Sequence, residues 1–248
     1  MKTPYVGITG FMTKDEALDI LSIVPVNSNR LVMIGVLASQ KTIQGIPNKW
    51  PNRYPTMDNI AGIFPDDPRA LNLIHYNTKE SDTLVDQLLT MTAFAGKNLH
   101  GFQLNIAWPS PDAIKEYREA QPEKQIVLQI GGHAFKMMNN SPIQLAAKVT
   151  EYEGIIDYVL LDPSGGLGIP LNPERIREYL YTLQEKKLDI GLGTAGGLGP
   201  TTLHLLEPLA KEFPDLSTDA EGRLYLPEGR LNINASREYA RKSLLMFP

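Results

Sequence analysis

A single acid runs into a glycine-rich turn at Tyr158-Val-Leu-Leu-Asp162-Pro-Ser-Gly-Gly-Leu-Gly168. Four apolar or β-branched positions are too few for a helix, so the run reads as a buried strand that carries the Asp162 carboxyl group to its C-terminal tip. A carboxyl group held there can serve as a general acid or base. It can equally cap the next helix or tie down the turn with Asx hydrogen bonds, and the acid alone does not separate these readings. A stretch of similar build, Ile190-Gly-Leu-Gly-Thr-Ala-Gly-Gly-Leu-Gly199, follows about one strand-helix unit later. With a helix starting just beyond it, Gly196 and Gly197 would let backbone N–H groups approach an anion. Glycine is also what any tight turn needs.

Groups of this kind need a scaffold that gathers strand tips, and the chain alternates strand and helix. Residues 5–10 are β-rich, and Thr13-Lys-Asp-Glu16 is a capping-box pattern opening a helix through Ala17, Leu18, Leu21 and Val24. Residues 31–37 form a second buried strand. Residues 38–55 then run polar and aperiodic with three prolines, Trp50 and Arg53. A loop longer than about 12–15 residues is commonly a lid or binding loop, with a packed insertion as the alternative. A short helix over 57–64, a strand over 70–75, an amphipathic helix over 81–94 and a strand over 101–106 follow.

From there the chain is rhythmic. Ser110-Pro111, Ser141-Pro142, Asn172-Pro173 and Gly199-Pro200 each read as an N-cap followed by proline at the first helical position, at intervals of 31, 31 and 27 residues. Strands over 125–130, 157–161 and 189–192 fall between them. A helix over 201–213, a weak strand over 216–219 and a final helix over 235–245 end the series. A repeat of about 30 residues fits strand-helix-strand crossovers and parallel pairing. The expected fold is α/β, one (β/α)8 TIM barrel over residues 1–248 with a long loop after the second strand; an open doubly wound sheet is the alternative. The C-terminal strand ends would gather Thr9, Arg53, His75, Asn105, Gln129, His133, Asp162, Thr194 and Asp219.

Composition narrows the chemistry. The 248 residues are 42% hydrophobic and 21% charged, with a formal net charge of −4, which gives no electrostatic case for nucleic acid or an anionic membrane. The absence of cysteine excludes disulfides, thiolate metal sites and thiol nucleophiles. No metal-ligand spacing such as HxH or HExxH occurs, so no metal and no other cofactor is expected. With no signal-like start and no apolar run of about 18 residues, the expected location is the cytoplasm and the expected partner is a small-molecule substrate. Homo-oligomerisation stays open.

The motifs, in order, resemble the phosphoribosylanthranilate isomerase family of ribulose-phosphate-binding barrels. Val6-Gly-Ile-Thr-Gly10 resembles its first strand and Asn52-Arg-Tyr-Pro-Thr56 its arginine-bearing loop. Gln103-Leu-Asn105 stands where the family has Gln-Leu-His-Gly. Leu160-Leu-Asp162 with Gly165-Gly-Leu-Gly168 is similar to its Leu-Asp and Gly-Gly-x-Gly. Ala195-Gly-Gly-Leu198 resembles its phosphate-gripping turn and Asp215-Leu-Ser-Thr-Asp219-Ala-Glu221 its last-strand signature. The resemblance implies an Amadori-type aldose-ketose isomerisation in which Asp162 protonates the sugar ring oxygen. It places Arg53, His75, Gln103, Asn105, Gly165, Gly166, Gly196, Gly197 and Thr218 around the substrate, with Arg53 pairing a substrate carboxylate.

Departures from the pattern fall on the reacting positions. The family's base is a first-strand cysteine, and Thr9 stands there; a hydroxyl group is no base without help. Asp219 replaces a family glycine, and barrel closure would set it beside Thr9, so Asp162 and Asp219 divide the acid and base roles in one order or the other. A carboxylate about 4 Å from a phosphate also costs roughly 4 kcal/mol at an effective dielectric near 20, which brings an unphosphorylated ligand into view. The expected function is isomerisation of a sugar or sugar-phosphate conjugate. The alternatives are a lyase or hydrolase using the same acids, and a non-catalytic barrel that binds a metabolite or partner.

Overall fold

Eight strands form: β1 (Tyr5–Thr9), β2 (Leu31–Ser39), β3 (Ala70–Asn77), β4 (Gly101–Leu104), β5 (Gln125–Gly131), β6 (Tyr158–Asp162), β7 (Gly191–Thr194) and β8 (Ser217–Ala220), with Val, Ile, Leu and Tyr most frequent in β1, β2, β3, β5 and β6. The computed structural model describes residues 2–164 and 171–247. Each strand pairs in parallel with the next, and β8 returns to β1 through Val6↔Thr218 and Gly7↔Asp219. The sheet is therefore a closed (β/α)8 barrel rather than an open one. With one face toward the barrel axis and the other under helices, both faces of most strands are buried, which is why they read as apolar runs.

The helices are α1 (Lys14–Leu21), α2 (Gln40–Ile43), α3 (Met57–Ile63), α4 (Leu84–Ala95), α5 (Pro111–Ala120), α6 (Gly132–Met137), α7 (Pro142–Val149), α8 (Pro173–Gln184), α9 (Glu207–Glu212) and α10 (Ile233–Met246). At α1 the capping box forms: Glu16 N–H donates to Thr13 Oγ1 at 3.3 Å, and Thr13 N–H donates to the Glu16 carboxylate at 3.0 Å. Ser110, Ser141 and Asn172 each accept from the N–H three residues on, at 3.4, 3.3 and 3.1 Å, with proline next in the chain. The aperiodic stretch after β2 contains α2 before it becomes irregular.

Gly199-Pro200 departs from the expected cap. Glycine offers no side-chain oxygen, and Gly199 packs where a Cβ would stand 2.9 Å from Arg223 Cβ. The chain turns there instead, and a 3-10 turn at Leu203–Leu206 leads into α9, with Pro208 in the first turn. One continuous helix over 201–213 would put Pro208, which has no N–H, in its interior.

Inside the barrel, side chains alternate with a period of two. Tyr5, Met33, Leu71, Leu73, Val127, Tyr158 and Leu160 pack the axis, while Val6, Ile8, Val32, Ile34, Val159 and Leu161 face the helices. The Tyr5 and Tyr158 rings meet edge to face, centroids 5.3 Å apart. Gly191 pairs with Tyr158, and a Cβ there would lie 2.2 Å from the Tyr158 ring. β7 starts two residues later than expected, at this glycine. Arg30, 2% exposed, closes the opposite end: it donates to the carbonyls of Leu216 at 2.9 Å, Phe247 at 3.2 Å and Pro214, and stacks on the Phe247 ring.

Candidate active site

The apolar filling of the barrel stops at one level, and above it six strands end on inward polar side chains. On β6 the inward series is Tyr158, Leu160, Asp162; on β3 it is Leu71, Leu73, His75; on β5 Val127 gives way to Gln129. Thr9, Gln103 and Asp219 occupy the same layer on β1, β4 and β8. Two glycines make room for it. A methyl group at Gly7 would stand 2.6 Å from Asp219 Oδ1, and one at Gly35 would stand 2.5 Å from Thr9 Oγ1.

These groups form a buried hydrogen-bonded chain across the barrel. Gln103 Nε2 donates to Asp219 Oδ2 at 2.9 Å and to Gln129 Oε1 at 3.1 Å. Gln129 Nε2 donates to Asp162 Oδ2 at 3.1 Å, and Ser164 Oγ donates to Asp162 Oδ1 at 2.7 Å. Two carboxyl groups are thus tied together by two amides that fix their orientation. Burial, foremost, and the charge of Asp162 raise the Asp219 pKa to about 6, against the pull of the Gln103 amide, the Ala220 N–H and the nearby Thr9 hydroxyl. The Thr9 hydroxyl is close enough to exert that pull yet outside hydrogen-bonding geometry, so Thr9 Oγ1 and Asp219 Oδ1 have no hydrogen-bond partner among the described residues.

Above this layer lies a cavity of about 90 Å³ whose walls include Arg53, His75, Gln129, Asp162, Ser164, Gly196, Gly197, Asp219, Glu221 and Arg223. His75 is buried, and burial lowers its pKa to about 4, so the ring is neutral at physiological pH. Its Nδ1 lies 3.7 Å from Glu221 Oε2. The Glu221 side chain keeps 34% exposure, while protein crowds its other faces. That burial, the charges of Asp219 and Asp162, and the opposing pull of Arg53 place its pKa at about 7. The Arg53 guanidinium sits 3.8 Å from the centre of the Tyr225 ring and 4.8 Å from that of Trp50, so the long loop does deliver its arginine to the cavity.

Not every residue singled out in the sequence reaches the cavity. Thr218 neighbours Asp219 but faces the opposite way, accepting from the Tyr239 hydroxyl of α10 at 2.9 Å. Thr194 also turns outward and donates to Leu161 O at 3.3 Å. Asn105 lies just past the end of β4, tied to Tyr76 O by its backbone N–H at 2.9 Å, and is not among the lining residues. His133 is exposed on α6. Gly165 and Gly166 lie outside the described residues. Gly196 and Gly197 both have positive φ and line the cavity, but no α-helix opens directly behind them.

Glu221 and Ser164 were missed by sequence reasoning. Each stands two residues past an inward aspartate, and carrying the period-two pattern one step beyond the strand end would have found both. Among the described residues no group of His, Asp and Glu has the geometry to hold a metal ion, and no helix is long and apolar enough to cross a membrane.

No protein-family model and no curated protein matches this chain. Solved structures do resemble it. A phosphoribosyl anthranilate isomerase in complex with reduced 1-(o-carboxyphenylamino)-1-deoxyribulose 5-phosphate superposes with a TM-score of 0.64 at 14% identity, over 96% of this chain and 97% of that one. The catalytic domain of a hyperthermophilic chitinase from Pyrococcus furiosus gives 0.58 at 11% identity, over 98% and 95%. The YdjI aldolase from Escherichia coli K12 gives 0.50 at 12%, over 99% and 91%. Neighbours of such different activity at such low identity share the TIM-barrel enzyme fold with this chain, and the fold alone.

Proposed function

We propose that this chain is an acid-base isomerase that converts an aldose conjugate into its ketose by an Amadori-type rearrangement at the barrel mouth. The observation that carries the reading is the pair of buried carboxyl groups joined through Gln129 and Gln103, with Asp219 raised to about 6. A carboxyl group with that pKa exchanges a proton readily near neutrality. In the proposed reaction one carboxyl group of the Asp162–Asp219 pair gives a proton to the ring oxygen as the C1–O bond breaks, and the nitrogen lone pair forms C1=N. The other carboxylate then takes the C2 proton, and the C–H electrons pass through C1 to nitrogen. Reprotonation at C1 and loss of the O2 proton yield the ketose and restore both carboxyl groups. Thr9 has no ionisable group of its own and sits beside Asp219 rather than acting as a base.

A second reading is favoured by size. The cavity of about 90 Å³ is well below the roughly 300–1,000 Å³ of usual small-molecule pockets, as in a barrel that only binds a small group. Turnover separates the two. N-ribosylanthranilate and its 5′-phosphate are followed by anthranilate fluorescence with the native chain, Asp162→Asn and Asp219→Asn. Conversion by the native chain that is lost in both variants supports the isomerase; an inactive native chain sinks it.

A further inference from the structure

We infer that the cavity receives an uncharged, hydroxyl-bearing sugar end and discriminates against a phosphorylated one, an inference that rests on the isomerase reading for its choice of sugar. The first argument is hydrogen-bonding capacity. The enclosed atoms at and beneath the cavity floor that lack a hydrogen-bond partner among the described residues are Thr9 Oγ1, Gln103 Oε1, Asp219 Oδ1 and both His75 nitrogens, with Arg53 Nε at the wall. Gln103 Oε1 and an ionised Asp219 Oδ1 only accept. Thr9 and the neutral His75 ring can do either, and Arg53 Nε only donates. Of these residues His75, Asp219 and Arg53 line the cavity, and a hydroxyl group, which both donates and accepts, can pair with each of them. A phosphate dianion offers acceptors alone and leaves the strict acceptor Asp219 Oδ1 unpaired.

Charge points the same way. Asp162, Asp219 and Glu221 line the cavity against Arg53 and Arg223, and His75 is neutral, so the walls are close to balance and favour neither a dianion nor a cation. The glycine turn does not rescue a phosphate. A Cβ on Gly196 would stand 3.3 Å from both Asp162 Oδ1 and Ser164 Oγ, which backs the turn directly onto a carboxylate. The segment behind it is a four-residue 3-10 turn, too short to build a helix dipole. One like-charge pair at about 4 Å and an effective dielectric near 20 weakens binding roughly a thousandfold. With the arginines cancelling most of that, a residual preference of about tenfold or more for the neutral sugar is expected.

Saturation-transfer NMR and calorimetry on the full chain at pH 7.5, with D-ribose, D-ribose 5-phosphate and inorganic phosphate as probes, test this. Ribose should bind saturably, its phosphate ester about tenfold or more weakly, and inorganic phosphate should not displace ribose. Asp219→Asn removes charge while keeping shape and should narrow the gap between ribose and its ester. A phosphate ester that binds as well as ribose, displacement by phosphate, an unchanged gap in the variant, or no saturable ribose signal would each overturn the inference. Ribose binding without turnover of N-ribosylanthranilate defeats the isomerase reading alone. Turnover that favours the phosphate ester defeats only the inference.

Discussion

Asp219 lowers the stability of the folded chain wherever it is ionised, and replacing it with asparagine makes that loss measurable. Burial and the charge of Asp162 raise its pKa from 3.8 to about 6 in the folded state. A carboxyl group whose folded pKa lies above its unfolded one is least harmful when protonated in both states, so stability is highest below the unfolded value and is lost as pH rises through the folded one. A shift of about 2 units at about 1.36 kcal/mol each amounts to ~3 kcal/mol above neutrality, shrinking to ~0.5 kcal/mol near pH 4. Asparagine keeps the shape and can still accept from Gln103 Nε2, but its amide N–H groups meet the Ala220 N–H and cost about 1 kcal/mol. Asp219→Asn should therefore be about 2 kcal/mol more stable than the native chain at pH 8 and slightly less stable near pH 4. Urea unfolding of both proteins at pH 4, 6 and 8 measures the difference directly. A difference that changes by less than about 1 kcal/mol across that range would refute the claim that the folded protein holds this carboxyl group out of water.

Three further outcomes follow from the same contacts. Gly7→Ala places a methyl group 2.6 Å from Asp219 Oδ1 and 2.9 Å from Met33 Cε, and should destabilise by about 1–3 kcal/mol in urea while displacing the carboxyl group; a variant as stable as the native chain would mean that Asp219 is free to move. His75 should titrate with a midpoint near 4 by imidazole NMR, giving up stability as pH falls from its unfolded value of 6.5 toward 4; a midpoint above 6 would contradict its burial. Arg30→Leu strands the carbonyls of Leu216, Phe247 and Pro214 and should cost at least ~3 kcal/mol, with faster amide exchange at the end of α10; exchange confined to its native rate would show that the clamp is redundant.

The barrel was legible in the sequence because its signals are local. Capping at Ser110, Ser141 and Asn172 depends on one side-chain oxygen and the proline after it, and both are visible in the letters. Gly199-Pro200 has the same outline without the oxygen, and whether a helix begins there depends on Pro208, eight residues on. Strand limits were less legible because register is a property of pairs: β7 starts at Gly191 opposite Tyr158, a pairing that spacing along the chain does not reveal. In the site, Asp162 and Asp219 were legible as strand-tip acids. Thr218 was misplaced by neglecting that adjacent strand residues face opposite ways. The links through Gln103 and Gln129 require the closed barrel and could not be read from spacing.

The switch from apolar to polar on the barrel axis is itself an argument for a ligand. Leu160 to Asp162, Leu73 to His75 and Val127 to Gln129 make the change at a common height on three strands, and Thr9, Gln103 and Asp219 meet them there. A barrel selected only for stability would continue with apolar and aromatic side chains, as its lower layers do. Here enclosed atoms of Thr9, His75, Gln103 and Asp219 are left without hydrogen-bond partners among the described residues, each at a cost of about 1–3 kcal/mol. The unpartnered atoms of His75 and Asp219 lie on the cavity wall, with the Asp219 pKa raised to about 6, so a ligand that hydrogen-bonds to them there recovers energy the folded chain forgoes.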